Sequence, residues 1–320
     1  MRLTAALMRV IFQPWYPMSK PPFVTDHQSY SLWDHVKLIE AGDYGLPEFQ
    51  RTFVWDDEKV RNLWDSIYRS FPIGQIMLWE PEKEEFPMRS LGRHQADLEE
   101  CAKYAVIDGQ QRLTAFWLVL KGEVPLRFNL EKEQFFVASS PTENSIQLNL
   151  LEDLTADSAE DQELFVHCAN GEQQKKFAAA LRRLNARLLQ KLPSQTIKHA
   201  DYARVVEVFR RLNVQGVALS EAQVAIAVIS TKWPGVFRRI YGTLQRLNVE
   251  MGFDRLEDQD FLVRAWTAVH TNQHLIKHLA PESDSVRSRY AALATAESYE
   301  ESWRKLERGL NGLTSVCEIN

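Results

Sequence analysis

From Leu32 onward the apolar positions of the chain fall into regular periods. Leu32, Val36 and Ile39 recur at helical spacing behind Ser31, a favourable N-cap, and Gly42 closes the segment. Leu46 to Val54 reads as extended because Pro47 blocks a helix, with Gln50 and Arg51 exposed at its end. Asp56 caps a second helix, whose Val60, Leu63, Trp64, Ile67, Tyr68 and Phe71 form one buried stripe. Pro72-Ile73-Gly74 then turns the chain into an apolar strand from Gln75 to Trp79, and the charged stretch 81–100 reads as a surface excursion.

The most informative stretch is YAVIDGQQRLTAFWLVL, Tyr104 to Leu120. Tyr104, Val106 and Ile107 suit a buried strand, Gly109 permits a sharp turn, and Leu113, Phe116, Trp117 and Leu120 recur at helical spacing. Residues 124–129 and 134–138 predict a hairpin extending the same sheet, with the helix after Gly109 packed across it. From about Ala159 strand signals thin out, and amphipathic periodicity predicts helices over 172–192, 202–212 and 221–233. Asn213 to Gly216 interrupts two of them, and Ser220 with Gln223 has the spacing of a capping box. The expected class is therefore α+β: an extended arm over 1–22, an α/β domain over 23–158 and a helical domain over 159–320.

Composition narrows this only a little. With 320 residues and 45% hydrophobic content the chain suffices for two packed cores. A formal charge of −5 gives no bulk attraction for nucleic acid, so any DNA contact must come from a local basic face. Lys175, Lys176, Arg182, Arg183 and Arg187, with Lys191, supply one candidate, to be weighed against an ordinary solvated helix face. Cys101, Cys168 and Cys317 are odd in number and widely spaced, as free thiols in a reducing compartment would be. The apolar start MRLTAALMRVIF is interrupted by Arg9 and too short to span a bilayer, so a cytoplasmic protein without membrane contact is expected.

The chemistry concentrates where strand gives way to helix. A helix opening there points unpaired N–H groups outward, which favours phosphate or carboxylate. Asp108 suits a hydrated divalent metal or a water, Gln110 and Gln111 offer donors and acceptors, and Arg112 can fork onto phosphate oxygens. The simpler alternative is that Asp108 caps the helix and the next three residues form a solvated first turn.

The string IDGQQRLTA resembles the DGQQR motif of the GmrSD restriction endonuclease N-terminal domain family, which is related to ParB-like and sulfiredoxin-like domains. The blocks Leu46 to Glu80 and Val208 to Gln223 resemble two further segments of that family, and the likeness covers roughly Pro22 to Ala268. It implies a ParB-like domain in a system that restricts modified or foreign DNA, binding and hydrolysing a nucleoside triphosphate with Mg²⁺ or Mn²⁺ near Asp108. Carried over by position, Asp108, Gly109, Gln110, Gln111, Arg112 and Thr114 form the nucleotide site, Gln50 and Arg51 face it, and the loop bearing Asn213 and Gly216 returns toward it. Asp108, Gln110, Gln111 and Arg112 are its expected catalytic groups. Two other functions stay open: a switch without chemistry that docks a partner nuclease, and direct nicking of DNA by the DGQQR site. Relatives in that family commonly add a nuclease module with a histidine-metal motif. Here His270, His274 and His278 read as ordinary helical residues, so a stand-alone module or a partner nuclease chain is expected, with homo-oligomerisation left open.

Overall fold

The computed structural model describes residues 23–82, 86–92, 98, 102–149, 170–214, 220–251, 259–273, 275–276 and 293–317. The arm over 1–22 lies outside them, as do Cys101, Cys168, Gly216, His274 and His278. The mixed α+β class is observed. A six-stranded sheet is built from β1 (Val24–Tyr30), β2 (Tyr44–Pro47), β3 (Ile76–Trp79), β4 (Met88–Arg89), β5 (Tyr104–Asp108) and β9 (Leu192–Lys198), in the order β1-β9-β3-β5-β2-β4. β9 pairs with β3 and β2 with β5 in parallel, and the other three pairings are antiparallel.

Alternation along the strands explains why they read as nearly continuous apolar runs. Ile76, Leu78, Tyr104 and Val106 face one core, whereas Met77, Trp79, Ala105 and Ile107 face another. A sheet covered on both faces needs apolar residues at every position. The first face is covered by α1 (Leu32–Glu40), α2 (Asp57–Tyr68), α3 (Gln110–Leu120) and α4 (Gly171–Leu188). The second is covered by α5 (Tyr202–Val214), through Tyr202, Val205, Val206 and Phe209. The helix starts are those expected: Ser31 and Asp34 form a reciprocal capping box, and Asp56 caps α2 through the Lys59 N–H.

Four expectations are corrected. Residues 192–198, with Leu192 read as the end of a helix and the rest assigned no strand, form β9 in the interior of the sheet, so the sheet draws on the chain well beyond Ala159. The predicted hairpin exists as β6 (Leu126–Asn129) and β7 (Gln134–Val137), but it joins β8 (Ser145–Gln147) in a separate three-stranded sheet. Within the stretch 81–100, Met88 and Arg89 are buried and pair with β2 rather than lying on the surface. Phe71 falls beyond the end of α2 and is exposed.

The remaining helices, α6 (Glu221–Ser230), α7 (Val236–Met251), α8 (Gln259–Thr271) and α9 (Ala296–Cys317), enclose a third core. Trp233, Trp266, Tyr299 and Trp303 meet at its centre, with the Trp266 and Trp303 rings 5.2 Å apart and nearly perpendicular. His270 belongs to this core: it is buried, with Nδ1 2.8 Å from the Ser302 hydroxyl. Ser220 and Gln223 form the anticipated capping box at the start of α6.

Two predictions follow from this arrangement. A chain ending at residue 158 lacks β9, so β1 and β3 lose the strand between them; it is expected to show no cooperative urea transition by circular dichroism. The second concerns His35, which is fully buried with Nδ1 3.0 Å from the Tyr44 hydroxyl and Nε2 3.4 Å from that of Ser194. Burial pushes its imidazole down to about 4. The folded pKa lies below the ordinary value near 6.5, so the unfolded chain takes the proton first. Stability is therefore full above about pH 6.5 and is lost as the pH falls toward 4, by roughly 2–3 kcal/mol from this residue. Urea titrations at pH 7 and pH 4.5 should show that loss, and a smaller one in His35→Gln.

Candidate functional site

β5 ends at Asp108, Gly109 adopts the left-handed region with φ 95°, and α3 begins at Gln110. Asp108 does not cap the helix: no side-chain cap is present at this N-terminus, which leaves its first N–H groups without a side-chain acceptor. One carboxylate oxygen of Asp108 instead accepts from Arg112 Nη2 at 2.8 Å. The Asp108 side chain is 50% exposed and that of Arg112 only 14%.

Arg112 is held from two sides, since Nη1 also donates to the Ile73 carbonyl. Both flanking glycines are needed for this. A Cβ on Gly74, whose φ is 81°, would stand 2.6 Å from Arg112 Nη1. One on Gly109 would stand 2.6 Å from Ile76 Cδ1 and 3.3 Å from Arg112 Nη2.

The amides are equally committed. Gln110 is buried and its Nε2 donates to the Arg51 carbonyl at 2.8 Å. Gln111 Nε2 donates to the Thr52 carbonyl at 3.0 Å, and its Oε1 accepts from the Val54 N–H at 3.0 Å. Gln50, expected to be exposed, is buried, and its Nε2 donates to the Val106 and Ile107 carbonyls at 3.1 and 2.7 Å. Segment 50–54, the Pro72-Ile73-Gly74 turn and the DGQQR turn are thus one hydrogen-bonded unit. Gln50 and the Arg51 carbonyl lie against the turn, with Gln50 serving as a clamp.

Arg51 is half-buried, and its guanidinium has no hydrogen bond or ion pair among the described residues. It is the cation of this cluster left uncommitted. Thr114 is fully enclosed, and its hydroxyl has no hydrogen-bonding partner among the described residues. Asn213 lies in the last turn of α5, while Gly216, with the rest of its loop, is outside the described residues. Lys175, Lys176, Arg182 and Arg183 are exposed on α4 and Arg187 is half-buried there. Arg183 is committed to Glu133, which also accepts from the Tyr68 hydroxyl.

No group of three or more His, Cys, Asp or Glu among the described residues is placed to hold a metal ion. Asp108 is a lone carboxylate, which suits Mg²⁺ or Mn²⁺ brought in with phosphate oxygens and water rather than a protein-built cage. A cavity of about 510 Å³ opens beside the far end of α3, at Trp117 and Lys121, and another of about 510 Å³ lies at the β6–β7 hairpin. Neither is lined by the DGQQR residues.

Residues 32–228 of this α+β protein match the family model described as GmrSD restriction endonuclease, N-terminal domain. The chain belongs to the GmrSD restriction endonuclease N-terminal domain family. It is also 30% identical over 118 residues to an uncharacterized protein of Methanocaldococcus jannaschii. That match takes in 35% of this chain and 20% of the relative's own length. Among the described residues no helix is long and apolar enough to cross a membrane.

The missed signal is the commitment of the amides. A polar segment spaced about as far from the turn as 50–54 is from 110–111 offers backbone carbonyls that no side-chain pattern displays. One prediction tests the packing around Arg112. Gly109→Ala and Gly74→Ala each force a Cβ into occupied space at a positive φ, and each should lower stability by about 1–3 kcal/mol in urea unfolding.

Proposed function

We propose that this chain is a nucleotide-dependent regulatory module of a DNA restriction system, binding and hydrolysing a nucleoside triphosphate at the Asp108–Arg112 turn. The observation that carries the reading is a helix N-terminus without a side-chain cap and a half-exposed carboxylate, next to Arg51, whose carbonyl accepts from Gln110 and whose guanidinium has no partner among the described residues. These supply phosphate recognition from two directions and one acidic ligand for a phosphate-bound cation. Family membership supports the restriction context.

Asp108 would hold Mg²⁺ or Mn²⁺, and such an ion would supply charge neutralisation of the phosphates when bound. Arg51 grips phosphate oxygens, and the α3 N–H groups stabilise charge that builds on them. Arg112 holds Asp108 in place, and Gln50, Gln110 and Gln111 fix the surrounding backbone. DNA, modified or not, is engaged in this reading by the exposed bases of α4, and a partner nuclease performs the cutting. The protein works in the cytoplasm, where such DNA is met.

One observation favours the alternative of a switch without chemistry. Gln110 and Gln111, expected from the resemblance to be catalytic groups, already bond main-chain groups. Phosphate release from ATP, GTP and CTP with Mg²⁺, measured beside calorimetric binding, separates the two. Asp108→Asn should reduce release by at least about a hundredfold, the several kcal/mol a metal-phosphate contact supplies, with the fold intact by circular dichroism. Binding without release makes the chain a switch, and turnover surviving in Asp108→Asn removes this site.

A further inference from the structure

The segment that clamps the DGQQR turn also reaches the other side of the molecule. Glu48 is only 3% exposed, and its Oε2 accepts from the Gly235 N–H at 2.9 Å. Gly235 has φ 89° and precedes α7, with the Arg239 N–H bonded to its carbonyl. A buried carboxylate therefore sits on the positive end of α7, which is where negative charge is favoured. Phe49, next along, lies 4.6 Å from the Phe209 ring and 5.8 Å from the Tyr202 ring. Arg89 is 5% exposed, donates to the Gln50 carbonyl, and stacks its guanidinium 3.9 Å from the centre of the Phe237 ring.

Neighbouring residues of one short segment thus divide between two bodies. Glu48 and Phe49 hold α7 and α5, while Gln50, the Arg51 and Thr52 carbonyls and the Val54 N–H hold β5 and α3. The strap turns at Glu48 and Phe49, where the Gln50 N–H bonds the Pro47 carbonyl at 3.0 Å, and it is anchored at both ends, so a shift at one end loads the other. A displacement of the Arg51 carbonyl by Gln110 is passed along three residues to a carboxylate whose hydrogen bond weakens steeply with distance and angle.

We propose that Glu48 is a positioning residue that ties the start of α7 to the Asp108–Arg112 turn, so that occupation of the turn changes how firmly α7 is held. The nucleotide part of this rests on the reading of the turn given above; the mechanical tie does not. Burial raises the pKa of the Tyr202 hydroxyl, with the Glu48 charge beside it acting in the same direction and Arg89 in the opposite one. The environment at the strap's end is therefore charged and enclosed, and ligand-driven coupling needs such a contact to differ between two states.

Amide hydrogen exchange at residues 235–239 reads the tie directly. Without nucleotide, Gln110→Ala should speed exchange there at least about threefold in the native chain and leave it unchanged when Glu48 is replaced in Glu48→Ala. Equal acceleration in both backgrounds, or none in the native chain, overturns the proposal. Where Glu48→Ala fails to fold, Glu48→Gln takes its place, since it keeps an oxygen for the Gly235 N–H and removes the charge. A clearly smaller acceleration is then expected, and an undiminished one overturns the tie. With Mg²⁺ and ATP or GTP added, protection of amides 109–112 reports binding at the turn, and 235–239 should slow in the native chain but not in Glu48→Ala. A protected turn with no change at 235–239 overturns the proposal. If neither triphosphate protects 109–112 while the first comparison holds, the nucleotide reading fails and the tie stands.

Discussion

Three glutamine amides hold the central turn in place by bonding main-chain carbonyls of other segments. Gln50 reaches forward to the end of β5, and Gln110 and Gln111 reach back to residues 51, 52 and 54. Each such bond contributes about 1 kcal/mol net, and a buried group left without its partner costs about 1–3 kcal/mol. Their larger effect is geometric. Reciprocal donation fixes two chain segments in a single register, so the half-exposed Asp108 stands on a rigid base beside the backbone of Arg51.

Arg112 completes the base by bonding both the turn it follows and the loop before β3. Its guanidinium fills space that only glycine leaves open on either side, at residues 74 and 109. This explains why the Pro-Ile-Gly and DGQQR segments go together in one sequence: the second supplies the cation and the first the room and the acceptor. Such a base suits electrostatic recognition, in which groups are aimed before the ligand arrives. The helical part meets it through α5 and the Glu48 strap.

The strand-turn-helix was legible because its apolar positions change period at a glycine, and caps at Ser31, Asp56 and Ser220 were legible because their side chains bond neighbours three residues away. What depended on distant partners was not. Gln50 looked like a surface residue because polar side chains usually are, and only its acceptors more than fifty residues away account for its burial. β9 escaped notice because Leu-Pro-Ser-Gln-Thr-Ile-Lys carries few apolar residues. Ser194 and Thr196 are buried in it, and Pro193 sits near its start, where a missing donor is tolerated. The hairpin was legible as a hairpin, yet nothing in its alternation says which sheet it joins. In the cluster proper, the division into groups that clamp and groups left open required the fold.

The place of β9 between β1 and β3 also has a consequence for biogenesis. An emerging polypeptide displays β1, β3 and β5 long before the strand that bridges the first two has been made. Two of the future ladder edges stay unsatisfied until Lys198 leaves the ribosome, an interval in which exposed edges invite wrong partners. The polar character of that late strand, which made it hard to recognise, keeps it soluble while it waits to be inserted.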